Sequence, residues 1–172
     1  MPQEECDLTF AEIFPSDTED ITDTLLCTKR PDILTIQLES MGAPFIESLG
    51  GATNVTPELC QWMKRGANFT NAWANSFRTD RGVGSIPSSY RSFPKTSVMK
   101  DANKCSRLPS LASSLKKAGY SNTFLYGGDI GFTNMNGYLF FTGYDRLISD
   151  KDFTREETAT HRWGAGDDIT FD

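Results

Sequence analysis

Apolar positions fall in short blocks separated by polar, glycine-rich stretches, and their period changes from block to block. Residues 1–14 carry Leu8, Ala11, Ile13 and Phe14 on roughly one side of a helix. Pro15 ends it, because its ring clashes with the preceding turn and it has no N–H to donate. Residues 16–24 are polar and acidic and read as a loop. Ile33-Leu34-Thr35-Ile36-Gln37-Leu38 is short, apolar and β-branched, the pattern of a strand buried in a parallel sheet. Thr56-Pro57-Glu58 predicts a helix start: a capping hydroxyl, a proline where an N–H would go unused, and an acid beside the positive end of the dipole. Leu59, Trp62 and Met63 then face the core, and Gly66 closes the helix. Residues 69–74 read as another strand, and residues 77–84 as a polar segment rich in Arg, Asp and Gly.

A further helix is predicted over residues 109–118. Leu111, Ala112 and Leu115 repeat at helical spacing, Lys116 and Lys117 complement the last turn, and Gly119 ends it. Thr123-Phe124-Leu125-Tyr126 is again a short strand, followed by Gly127-Gly128-Asp129. Strands alternating with helices predict an α/β fold. Residues 163–172 look like the beginning of one more element, so the sequence reads as part of a longer chain.

The formal net charge of −6 argues against nucleic acid as a partner, since phosphate backbones need a basic face. A small anionic substrate needs only a local positive site. No apolar run is long enough to span a bilayer, and the acidic first seven residues lack the regions of a signal peptide. Taken alone, this describes a cytosolic protein or a piece of a larger one. The four cysteines form no C-x-x-C pair, which removes a zinc knuckle or a thioredoxin-like motif. A Cys6–Cys27 bridge is one arrangement, and buried free thiols are the simpler one. Asn54 and Asn68 sit in glycosylation sequons, a match common by chance, and both lie beside core elements.

In open α/β sheets, ligands bind at the carboxyl ends of the strands. Glu39 follows the first predicted strand, Thr79 lies within Phe77-Arg78-Thr79-Asp80-Arg81-Gly82, and Asp129 follows the third strand. A carboxylate at the position of Glu39 is costly to bury unless it is paired or metal-bound. From position alone it is structural more often than catalytic. Thr79 could cap a helix. As a nucleophile its hydroxyl needs activation, which a divalent metal supplies by lowering its pKa. A helix N-terminus would add to that stabilisation, and Arg78 and Arg81 could hold a transferred anion bidentately. By itself the segment reads first as a solvated charged loop. His161 is the sole histidine and reads as a surface residue, since one His builds neither a His-rich metal site nor a triad.

Taken in order, Pro31 to Ser40, Thr56-Pro57-Glu58-Leu59, Ala67 to Asn71, Ser76 to Gly82, Leu111 to Tyr120, Tyr126-Gly127-Gly128-Asp129 and Trp163-Gly164 resemble the lipoteichoic acid synthase-like sulfatases of the alkaline phosphatase superfamily. The resemblance covers about residues 30–172 and is specific through the combination and order of its elements. It implies an alkaline phosphatase-like α/β/α sandwich, here incomplete. Residues 1–29 would be a helix and linker that follow a membrane anchor, and residues 30–172 the N-terminal part of the catalytic domain. The enzyme would work on the extracytoplasmic face of a bacterial cytoplasmic membrane.

By the same resemblance, Glu39 matches an early acidic metal ligand, and Thr79 a nucleophile that is also a ligand, for manganese, magnesium or zinc. The remaining family ligands, an Asp-His pair and a further His, would lie beyond Asp172. The fragment alone is then expected to bind metal weakly and to be inactive. Lipoteichoic acid synthases carry a Trp-Asn-Arg segment that holds glycerol phosphate. Phe132-Thr133-Asn134-Met135 lacks its Trp and Arg, which argues against glycerol phosphate polymerisation. Asp129 and Asn134 would shape a different pocket, for a hexose, lipid or ethanolamine ester. Classical sulfatases place a Cys or Ser in a Cys/Ser-x-Pro-x-Arg setting. Thr79-Asp80-Arg81 has no proline, which favours phosphoryl transfer over sulfate ester hydrolysis. The expected partner is therefore the anionic ester head group of a lipid or glycan. A non-catalytic α/β binding module is the alternative of a different class. An incomplete sheet would also expose an edge, so self-association of the fragment is expected.

Overall fold

The computed structural model describes residues 2–13, 27–159 and 161–172. The chain divides into two compact units, Met1–Leu38 and Glu39–Asp172.

In the first unit, helix α1 spans Gln3–Ile13 with Glu4 and Glu5 in its first turn, where acids oppose the helix dipole. It has the predicted type and spans Gln3–Ile13 of the predicted 1–14, and Leu8 and Phe10 on it are exposed. Phe14, Pro15 and the predicted loop over 16–24 lie outside the described residues. Residues 33–38 are not a strand in the described structure, which corrects the sequence expectation. Their apolar pattern encodes a tendency to be buried. A strand also needs a hydrogen-bonded neighbour, and none pairs with this run among the described residues. Cys6 and Cys27 are both free thiols, so the Cys6–Cys27 bridge is not formed.

The second unit holds helices α2 (Pro57–Met63), α3 (Thr79–Ser88), α4 (Ala102–Cys105), α5 (Leu111–Lys117), strand β1 (Thr123–Leu125), helix α6 (Met135–Phe141), strand β2 (Arg146–Ile148) and helices α7 (Arg155–Thr158) and α8 (Asp167–Thr170). The α/β class is as the sequence implied. β1 and β2 pair in parallel with Phe124 opposite Leu147, and the connection between them carries α6, a βαβ unit. Residues 69–74 form no strand and Phe69 is exposed, a second correction of the same kind. The helix predicted at Pro57 is present, but Thr56 does not cap it; its hydroxyl donates instead to the Phe45 carbonyl at 2.8 Å. Trp62 is exposed rather than facing the core. The helix predicted over 109–118 forms as α5. Ser110 accepts from the Ser113 N–H at 2.9 Å, the Ser113 hydroxyl closes the box, and Gly119 leaves the helix at φ +85°.

The core of this unit is built from Val83, Val98, Met99, Cys105, Ile130, Met135, Tyr138 and Leu139. These residues bring α3, the turn Val98–Lys100, α4 and α6 together, while Phe124 and Tyr144 meet edge to face at 5.4 Å beneath the strands. Cys105 is buried, whereas Cys60 is half-buried and Cys27 exposed, so the expectation of buried thiols holds at Cys105. No helix among the described residues is long and apolar enough to cross a membrane.

Candidate active site

The polar segment over 77–84 is helical from Thr79 onward. Asp80, Val83, Gly84 and Ser88 recur at helical spacing and are the buried face of α3. Gly84 lets the helix approach Val98 closely: a Cβ there would lie 3.3 Å from the Val98 side chain. Arg78 is the extended residue at the helix start, and its carbonyl accepts from the N–H groups of Arg81 and Gly82 at 3.1 and 2.9 Å. Thr79 therefore opens the helix, at the end where the dipole favours negative charge. Its hydroxyl donates to Oε1 of Glu39. Glu39 stands in a turn with Ser40, whose φ is +56°. The two residues singled out by sequence are thus in direct contact.

Arg78 and Asp80 flank the hydroxyl. Asp80 is 4% exposed and its Oδ1 lies 3.2 Å from Arg78 Nε. The Asp80 carbonyl accepts from the Ser97 hydroxyl at 2.6 Å, which ties the start of α3 to the core turn. Arg81 takes another direction. It stacks on Phe77 at 5.7 Å and lines a small cavity with Tyr90, Phe93 and Ser97, and its buried Nε has no hydrogen-bond partner among the described residues. No hydrogen bond or ion pair among the described residues joins Arg81 to Thr79 or Glu39.

The loop after β1 is held by backbone. Gly127 accepts from the Ala165 N–H at 2.9 Å. A Cβ on Gly128 would meet the Trp163 carbonyl at 2.6 Å. Asp129 is exposed at its end, and its Oδ1 accepts from the Gly131 N–H at 2.7 Å, a local Asx turn. Tyr126, half-buried, is a residue that the sequence reading passed over as part of the strand. Burial pushes its hydroxyl pKa up, and the negative charges of Glu39 and Asp129 push it further. Those fields place Tyr126, Glu39 and Asp129 in one electrostatic neighbourhood. The signal was available: Tyr126 directly follows β1, at the carboxyl end of the strand.

Asn134 follows Thr133 through two consecutive left-handed positions, φ +55° and +62°. Its side-chain nitrogen donates to the Met99 carbonyl at 2.6 Å. The amide is thus fastened to the core turn. His161 is exposed, as expected of a surface residue.

Glu39 and Thr79 offer two oxygen donors to a divalent cation, the donor chemistry that suits magnesium or manganese and is compatible with zinc. Among the described residues no cluster of three or more His, Cys, Asp or Glu completes such a site. The pair fits one side of a metal site.

The fold that carries this pair is shared with solved proteins of the alkaline phosphatase superfamily. A protein of that superfamily from Vibrio parahaemolyticus matches with a TM-score of 0.67 and 33% identity, over 75% of this chain and 31% of that one. The lipoteichoic acid synthase LtaP from Listeria monocytogenes shares the fold at a TM-score of 0.50 and 18% identity, over 56% of this chain and 23% of that one. Within the superfamily the assignment narrows: the sulfatase family matches residues 31–172, and the chain belongs to it. The chain spans less than a third of either structural relative.

Proposed function

We propose that the protein is a metal-dependent enzyme that transfers or hydrolyses a phosphoryl group of an envelope lipid or glycan ester, with Thr79 as nucleophile. The observation that carries this reading is the contact between the Thr79 hydroxyl and Glu39 at the N-terminus of α3. A divalent metal held by Glu39 and Thr79 would lower the pKa of the hydroxyl. The Thr79 proton passes to solvent. Thr79 Oγ1 then bonds to phosphorus as the ester oxygen leaves with the bonding pair and takes up a proton. Water or an acceptor alcohol next bonds to phosphorus and loses its proton, and Thr79 Oγ1 leaves and is reprotonated. The helix dipole and Arg78 stabilise charge on the phosphoryl oxygens. Arg81, whose Nε is shut away, is the less accessible cation, and Asp129 and Asn134 are the residues proposed to contact the head group. An anchor preceding this chain would place the site on the extracytoplasmic face of the membrane.

Sulfate ester hydrolysis is the second reading, favoured by the family match. Full-length protein with manganese, assayed on bis(p-nitrophenyl) phosphate and on p-nitrophenyl sulfate, separates the two. The proposal expects phosphodiester turnover that falls at least ~10³-fold in Thr79→Ala, the scale of losing a nucleophile. Sulfate turnover that survives Thr79→Ala would overturn it.

A further inference from the structure

We infer that Asp80 is a positioning residue that aims Arg78 at the group transferred to Thr79; this rests on the proposed phosphoryl transfer. Asp80 is the one buried carboxylate of the helix that opens with Thr79. Its side chain has a single partner among the described residues, Arg78 Nε at 3.2 Å. A buried carboxylate with one ion-pair partner is a poor device for stability, because desolvation offsets the attraction. Its geometric effect is definite. The contact occupies the inner edge of a guanidinium whose side chain is 51% exposed, and leaves both terminal nitrogens without a protein partner among the described residues, one residue from the nucleophile. A planar fork gripped at Nε presents those two donors in a fixed plane, as bidentate recognition of a tetrahedral oxyanion requires. The backbone of Asp80 is fixed as well, through Ser97. Carboxylate, arginine and nucleophile therefore share one hydrogen-bonded start of α3.

The test is a double-mutant cycle in the full-length enzyme with manganese and bis(p-nitrophenyl) phosphate: Asp80→Asn, Arg78→Ala and the pair. If Asp80 acts through Arg78, each single variant loses roughly 10–100-fold, mainly in kcat with KM little changed, and the pair loses no more than Arg78→Ala alone. Asp80→Glu, which keeps a carboxylate, recovers part of the loss. Losses that multiply in the pair, with the wild type active, overturn the positioning role and leave the phosphoryl-transfer reading standing. A wild type inactive on both phosphate and sulfate esters overturns that reading and the role of Asp80 with it. If Asp80→Asn does not fold, Arg78→Lys decides, since Arg78 is exposed and lysine keeps the charge but has no Nε edge to grip. Arg78→Lys as impaired as Arg78→Ala supports the inference, and full activity overturns it.

Discussion

The hydroxyl of Thr79 donates to the carboxylate of Glu39 across 40 positions of sequence. Two local features make that contact: a turn at Glu39–Ser40, and a helix whose first residue is Thr79. A hydroxyl at that place combines an acceptor for its proton, the positive end of a helix and an arginine next door. The charges of Glu39 and Asp129 also reach the Tyr126 hydroxyl at the end of β1.

The buried hydroxyls of Tyr138 and Ser88 share a hydrogen bond of 2.6 Å that fastens α6 to the last turn of α3. Tyr138→Phe leaves Ser88 unpartnered and should destabilise the protein by about 1–3 kcal/mol. Adding Ser88→Ala should return part of that loss in urea unfolding. Burial pushes the Tyr138 pKa from its ordinary 10.0 up to about 12, so the contribution of the neutral phenol is complete below pH 10 and disappears as pH rises to about 12. Tyr138→Phe should remove that alkaline decline.

Lys116 lies 2.5 Å from Asp145, which also accepts from the Asn122 N–H at 2.9 Å. The Lys116 hydrogen bond, followed by the Asn122 N–H, holds the Asp145 carboxyl below its ordinary 3.8. The sign is that of a depressed acid: the stabilisation is present above pH 3.8 and is lost as pH falls through the lower, folded value. Asp145→Asn should therefore lower the urea midpoint at pH 7, and the difference from wild type should close under acid.

Gly164 has φ +127°, and a Cβ there would sit 2.0 Å from the Gly127 carbonyl. Gly164→Ala should destabilise by more than the ~1–3 kcal/mol of backbone strain alone and displace the loop that ends in Asp129. Gly66→Ala is the control, with nothing within 4 Å of its Cβ and should leave the melting temperature nearly unchanged.

The parts of the fold that sequence revealed are those with local signals. α5 was legible because Leu111, Ala112 and Leu115 repeat at helical spacing and two lysines and Gly119 mark its end, while its Ser110 cap was not read. β1 was legible from its short apolar run. α3 was hidden because its buried face contains Asp80, Gly84 and Ser88, polar or small residues that satisfy the period without looking apolar. α6 was hidden although Met135, Tyr138 and Leu139 keep helical spacing, since Asn134 and Gly137 beside them suggest a loop. Residues 33–38 show the converse failure, an apolar pattern with no paired neighbour among the described residues. Glu39 and Thr79 were named by their place in an ordered set of motifs. Their contact is tertiary, and no pattern within either segment encodes it. The grip of Asp80 on Arg78 was likewise invisible, because the sequence does not say which of several adjacent charges is buried.

In the proposed reaction Thr79 carries the phosphoryl group. Intact-mass analysis of the full-length catalytic domain, incubated with manganese and a phosphodiester and quenched during turnover, tests it most directly. A phosphoryl adduct is expected on the wild type, mapping to Thr79 and absent from Thr79→Ala. An adduct retained by Thr79→Ala, or phosphodiester turnover undiminished by that substitution, would contradict it.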